Sequence, residues 1–231
     1  MKAPLLVVTG TGTGIGKTHA TAAILGAWRR VLVENGVSCP RVSGLKPIET
    51  GVTAGSVTDA QTLAQASTFH VKHSPPYVFA RPAAPHLAAA DEGRTIELER
   101  ISEYVEDVRA EADGVAVELP GGLFSPLGRS TSNLDLARLL DADAIVLVAP
   151  DRLGVLHDVA AATRAAIASG LSLSGVVLAA PEVADPSTGN NAAELGIITE
   201  VPLMAALPRA SVAELAARDD LAALVRSFVT P

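Results

Sequence analysis

Directly after the apolar run Leu5–Val8, residues 9–18 read Thr-Gly-Thr-Gly-Thr-Gly-Ile-Gly-Lys-Thr. A strand, a glycine-rich turn and a helix in that order form a phosphate-binding loop, and such a loop restricts the chain to α/β folds built on a parallel sheet. Without Cβ atoms in the way, backbone N–H groups converge on phosphate oxygens, and the helix that starts near Lys17 points its positive dipole end at the same spot. Gly12, Thr13, Gly14, Ile15 and Gly16 would cradle the phosphates. Lys17 would place a point charge on the outer ones, and the Thr18 hydroxyl is set to ligate Mg²⁺. The spacing has one irregularity. Gly10 and Gly16 enclose five residues, whereas the usual pattern encloses four, a count that here begins at Thr11.

Apolar runs of strand length alternate with helical stretches down the chain. Strands are expected near Pro4–Thr9, Arg41–Lys46, Gly114–Glu118, Ala144–Ala149, Gly175–Ala180 and Pro202–Leu207. Helices are expected near Lys17–Glu34, Asp59–Ser67, Ile96–Ala112, Leu134–Leu140, Leu153–Ser169 and Val212–Phe228. The proline-rich stretch Ser74–Arg94 shows little periodicity and reads as an ordered excursion over the strand ends. The fold expected is a doubly wound parallel sheet of the P-loop nucleoside triphosphate hydrolase type, in one domain spanning 1–231. Aromatic residues are only 3% of the chain, so Ala, Val and Leu must build the core. A net charge of −7 argues against nucleic-acid or anionic-membrane partners. The lone Cys39, the short apolar start and the lack of a membrane-length apolar run all point to a soluble cytoplasmic protein.

The polar segments that follow the strands gather at the carboxyl edge of such a sheet, its usual ligand crevice. Lys46 ends the second strand and precedes Pro47. The chain holds four lysines against fourteen arginines, so a lysine kept at a strand end calls for an explanation. Lys46 is read as a cation for a transferring phosphoryl group or an anionic intermediate. Glu118 ends the third strand before Gly121-Gly122, where a carboxylate beside a phosphate loop holds Mg²⁺. Asp59, at the head of a helix, is a second metal candidate and equally an ordinary cap. His70 and His73 lack a third ligand for zinc. His19 reads as structural, whereas His86 and His157 lie in segments that can reach the crevice.

Together these residues resemble the dethiobiotin synthetase family. The family's Gly-Thr-Asp-Thr-x-Val-Gly-Lys-Thr, with the same five-residue spacing, is similar to Gly10–Thr18, and its Lys-Pro-Val-x-Thr/Ser-Gly to Lys46–Gly51. Its Ser-Asp-Ala is similar to Thr58-Asp59-Ala60, its Pro-x-x-Pro-His to Pro82–His86, and its Val-Glu-Gly-Ala-Gly-Gly to Val117–Gly122. The resemblance implies ATP, Mg²⁺, CO₂ and 7,8-diaminopelargonic acid as reactants, and a homodimer. It implies Lys17, Lys46, Thr13 and Thr50 as catalytic groups, and Thr18, Asp59 and Glu118 as metal ligands. Thr13, Lys46, Thr50, Pro85, Gly121 and Gly122 would meet the substrate. Ala179 and the Pro208-Arg209-Ala210 loop would meet the base. This chain departs from the family pattern in four places. Gly12 replaces Asp, and Leu119-Pro120 replaces Gly-Ala. Ala179-Ala180 stands where the family commonly has an Asn that reads the base, and Leu156-His157-Asp158 replaces an Asn-His pair.

Two alternatives stay open on the residues alone. A ParA/MinD-like ATPase switch shares the fold and loop style but carries an early loop lysine, and none lies between Lys2 and Lys17. A ligase that has moved to another diamine is the other.

Overall fold

The computed structural model describes residues 2–70 and 74–229. Lys72 and His73 therefore lie outside the described residues. Its centre is a six-stranded, all-parallel sheet in the order β2-β5-β1-β6-β7-β8. The strands are β1 (Leu5–Gly10), β2 (Val42–Leu45), β5 (Gly114–Glu118), β6 (Ala144–Pro150), β7 (Gly175–Ala179) and β8 (Leu203–Leu207). They are the six strands expected from the apolar runs. β1, β5, β6 and β7 are buried at every position, because helices cover both faces and each alternate side chain meets one of two cores. Leu5 and Val7 face a core that also holds Ile101 and Val105 of α4 (Leu98–Arg109), Leu136 of α5 (Asn133–Leu140) and Val155 and Val159 of α6 (Val155–Ala168). Leu6 and Val8 face the other core, with Ile24, Trp28 and Val31 of α1 (Lys17–Glu34) and Leu63 of α2 (Asp59–Ala66). Space there is tight: a Cβ on Gly114 would come 2.5 Å from the Trp28 ring.

Three parts depart from the sequence reading. Ser74–Arg94 is more regular than its prolines suggest. It holds β4 (Tyr77–Phe79), paired in parallel with β3 (Ile48–Thr50) as a separate two-stranded sheet, and then α3 (Pro85–Asp91) with Pro85 in its first turn. Three-residue strands are too short to leave a period. A further helix, α7 (Asn191–Ile198), follows the turn at Gly189. The single helix expected over Val212–Phe228 is two, α8 (Val212–Ala216) and α9 (Asp219–Arg226). Arg218 is extended between them, and Asp219 and Asp220 stand in the first turn of α9. The Asp220 carboxylate accepts the Leu221 N–H, so an acidic N-terminal signature overrides the continuous apolar stripe. Among the described residues no helix is long and apolar enough to cross a membrane.

Candidate active site

Gly10 closes β1, and the loop turns through Gly14 and Gly16, both with positive φ, into α1. Gly16 sits at +88° as the N-cap, a conformation that side chains resist. Lys17 is buried, its ammonium 2.5 Å from the Gly12 carbonyl, so it folds back over its own loop. Burial, and after it the Lys46 ammonium, lowers the Lys17 pKa to about 8.

Beside the loop, four segments bring four polar side chains together: Thr18 from α1, Lys46 from the end of β2, Asp59 from α2 and Glu118 from β5. The Lys46 ammonium lies 2.5 Å from Glu118 Oε1 and 3.0 Å from Asp59 Oδ2. The Thr18 hydroxyl donates to the same Glu118 oxygen at 2.9 Å. Glu118 is wholly buried and Lys46 nearly so, whereas Asp59 is 46% exposed. Burial opposes the charge on Lys46, but Glu118 and Asp59 outweigh it, and its pKa lies above the ordinary lysine value. The other Glu118 oxygen, Oε2, is buried and has no hydrogen-bond partner among the described residues. A buried carboxylate oxygen with unused lone pairs, an adjacent hydroxyl and a carboxylate open to solvent suit Mg²⁺, which takes few protein ligands and completes its shell with phosphate and water. Among the described residues no group of three His, Cys, Asp or Glu could hold a metal, so a cation here would depend on that mixed shell.

The turn after β5 presses on the phosphate loop. Leu123 N–H donates to the Gly10 carbonyl at 3.1 Å. A Cβ on Gly122 would stand 3.2 Å from that oxygen, so no larger residue fits without moving the loop. A Cβ on Gly121 would meet Thr13 Oγ1 at 3.4 Å. Asn133, buried at the start of α5, donates to the Pro120 and Gly122 carbonyls at 2.5 and 2.8 Å and locks the turn. The sequence reading passed over Asn133, because a polar residue opening a helix is common there.

Two clefts of about 610 Å³ each flank the loop. Thr13, Gly14, Ile15 and Gly16 meet Ala179, Pro208, Arg209 and Ala210 in the first. Arg152 and Glu182, which sequence reading did not single out, also line it. His19, read as structural, lines it too and bonds the Ala210 carbonyl at 2.9 Å, which ties α1 to the 208–210 loop. Gly12, Thr13 and Gly122 line the second cleft with Phe124, His157 and Asp158. Thr50 and Pro85 stand apart from both clefts. Thr50 ends β3, and Pro85 is buried at the head of α3, which packs on β3. His86 sits beside it, its Nδ1 buried without a partner among the described residues, and exposed Cys39 takes no part.

A family model described as an AAA domain matches residues 5–215. The ATP-dependent dethiobiotin synthetase of Anaeromyxobacter dehalogenans is 37% identical over 207 residues, spanning 88% of this chain and 89% of that protein. The Pseudomonas aeruginosa protein of the same name is 36% identical over 227 residues, spanning 94% and 96%. Among solved structures, a ParA family ATPase from Chlorobium tepidum TLS aligns with a TM-score of 0.57 at 12% identity, over 97% of this chain and 96% of that one. The cell division ATPase MinD of Pyrococcus furiosus aligns at 0.54 and 19% identity, over 99% and 100%. At such identities the structures show a shared fold and no more, whereas the sequence matches run almost end to end. The chain belongs to the family of the ATP-dependent dethiobiotin synthetases, ligases built on a P-loop α/β fold.

Proposed function

We propose that this protein makes dethiobiotin from 7,8-diaminopelargonic acid, CO₂ and ATP, as a homodimer in the cytoplasm. The observation that carries the reading is the meeting of Lys46, Glu118, Asp59 and Thr18 beside the phosphate loop. One amine of the diamine attacks CO₂ and loses a proton, forming a carbamate. A carbamate oxygen then attacks the γ-phosphorus, the bond to ADP breaks, and a carbamic–phosphoric anhydride results. The second amine attacks the carbonyl carbon, loses its proton and expels phosphate, closing the ureido ring.

Phosphoryl transfer asks for positioning and charge neutralisation rather than covalent help. The Gly12–Gly16 amides and Lys17 would hold the β- and γ-phosphates. Lys46 would neutralise the carbamate and the transferring group, with Thr13 and Thr50 as hydrogen-bonding partners. Pro85, Gly121 and Gly122 would shape the substrate's path. Thr18, Asp59 and Glu118 would hold Mg²⁺, which when bound supplies Lewis-acid charge at the phosphate oxygens. Ala179 and Pro208–Ala210 would border the base.

The test is phosphate release from ATP in bicarbonate buffer with and without 7,8-diaminopelargonic acid, with mass detection of dethiobiotin. The expected result is release that depends on the diamine and matches product formation. Release without the diamine would replace the proposal with a nucleotide-driven switch, and diamine-dependent release without dethiobiotin would point to a changed substrate.

A further inference from the structure

The segment Lys46–Gly51 supplies two groups to the proposed mechanism, Lys46 and Thr50, and leaves the residue between them without a task. Glu49 lies on β3 and is only 7% exposed. A buried carboxylate is costly unless it is hydrogen-bonded. Among the described residues Glu49 forms no ion pair, and its two bonds both go to backbone. It accepts the Asp59 N–H at 2.5 Å and the Ala60 N–H at 3.3 Å, the first two amides of α2. The Thr58 hydroxyl accepts the third, from Gln61, at 3.1 Å, and Gln61 returns a bond to the Thr58 amide in a capping box.

The two caps do different things. The Thr58–Gln61 box is local: it lowers the cost of starting α2 and says nothing about where the helix sits. Glu49 reaches ten residues along the chain and ties the helix head to the strand that follows Lys46. Asp59 is the first residue of α2, and its carboxylate returns to Lys46 at 3.0 Å. A ring therefore closes: Lys46, β3, the Glu49 carboxylate, the Asp59 amide, the Asp59 carboxylate, and Lys46 again. Helix formation does not require that ring, but a fixed carboxylate position does.

We infer that Glu49 is a positioning residue: by holding the Asp59 and Ala60 amides it sets the Asp59 carboxylate against Lys46 and against the cation shared with Thr18 and Glu118. This rests on the proposed reading of Asp59 as a metal ligand, and the experiment separates the two. Mn²⁺ affinity of the full chain is measured with a non-hydrolysable ATP analogue bound, by the resonance signal of free Mn²⁺. Outer partners of metal ligands typically contribute about 10- to 100-fold in affinity. Glu49→Ala is expected to weaken Mn²⁺ binding about tenfold, while Thr58→Ala leaves it within twofold and lowers only thermal stability. Glu49→Gln is expected to fall between, since its amide oxygen can accept the Asp59 N–H while its NH₂ meets the Ala60 N–H. In turnover the same variant should raise the KM for Mg²⁺ more than it lowers kcat at saturating Mg²⁺. Should Glu49→Ala not fold, Glu49→Gln decides alone, with a threefold loss as the threshold. Parent-like Mn²⁺ affinity in the Glu49 variants, beside a loss in Asp59→Asn, would overturn the positioning role. No loss in Asp59→Asn would remove the metal-ligand reading and the positioning role with it.

Discussion

The two sides of the phosphate loop are built on opposite plans. Toward β5 and β2, charged groups are buried: Lys17, Lys46, Glu49 and Glu118 are all under 10% exposed, and Lys46 pairs with both Glu118 and Asp59. Toward β7 and β8, the first cleft is walled by small, apolar and backbone groups, and its charged members are at the surface, with Arg152 and Arg209 exposed. Removing one partner from a buried charge cluster leaves the other charges uncompensated in a poorly polarisable interior, whereas an exposed arginine is screened by water and salt. Substitutions on the buried side should therefore have large and specific effects, and those on the open side small and additive ones.

The largest effect is expected from Lys46→Ala. Loss of one preorganised charge at a reacting centre typically costs about 10²- to 10³-fold in rate. Nucleotide affinity should stay within a few-fold of the parent, because Lys17 and the loop amides remain. Single-turnover product formation beside equilibrium nucleotide binding separates the two effects. Normal turnover would remove Lys46 from the mechanism and break the comparison at its strongest point.

A smaller effect concerns Lys17, whose pKa burial and the Lys46 ammonium lower to about 8. With the folded value below the unfolded one, holding Lys17 charged opposes folding below pH 8, and that opposition fades between pH 8 and the ordinary lysine value of 10.5. Bound polyphosphate acts the other way, because it favours the ammonium. ATP binding should therefore take up a proton near pH 8, and affinity should fall about tenfold between pH 7 and 9. Calorimetry in buffers of different ionisation heat measures the uptake directly. No uptake and a flat affinity would mean that Lys17 stays charged throughout, and that the buried side is better solvated than its geometry implies.

The same contrast decides what could be read from the residues. β1, β5, β6 and β7 were legible because each is buried on both faces and so forms a nearly unbroken apolar run. The edge strands β2, which carries Ser43 and Gly44, and β8, which is partly exposed, give a weaker version of the same signal. The segments at their ends were legible because a parallel sheet gathers them at one edge. β3 and β4 were not legible, being three residues long. Arg218, which divides the last helix, carries no apolar mark, although Asp219-Asp220 after it was an available signal. Lys46, Glu118 and Asp59 were singled out one by one, but their mutual distances come from three elements separated in sequence. Glu49 was visible only as a letter inside a motif. Its role depends on a backbone amide ten residues away, and no spacing rule encodes that.

Arg209 gives the smallest expected effect and tests the open side. Its guanidinium reaches the Pro181 carbonyl at 3.4 Å, a long bond, from an exposed position on the 208–210 loop. His19 independently fixes that loop through the Ala210 carbonyl, so losing the arginine should not displace it. Exposed polar contacts of this kind contribute little net free energy. Arg209→Ala should thus change ATP affinity by about threefold or less, measured by the same calorimetry. Among the described residues none of the side chains that line this cleft is a carboxamide, so a base bound there would meet backbone and the exposed side chains of His19, Arg152, Glu182 and Arg209. A panel of nucleoside triphosphates at fixed Mg²⁺ should accordingly spread over about tenfold or less in KM. A loss beyond tenfold in Arg209→Ala, or strict dependence on ATP, would show a fixed polar anchor on this side as well. The two flanks of the loop would then differ in which group anchors the ligand and not in how firmly they hold it.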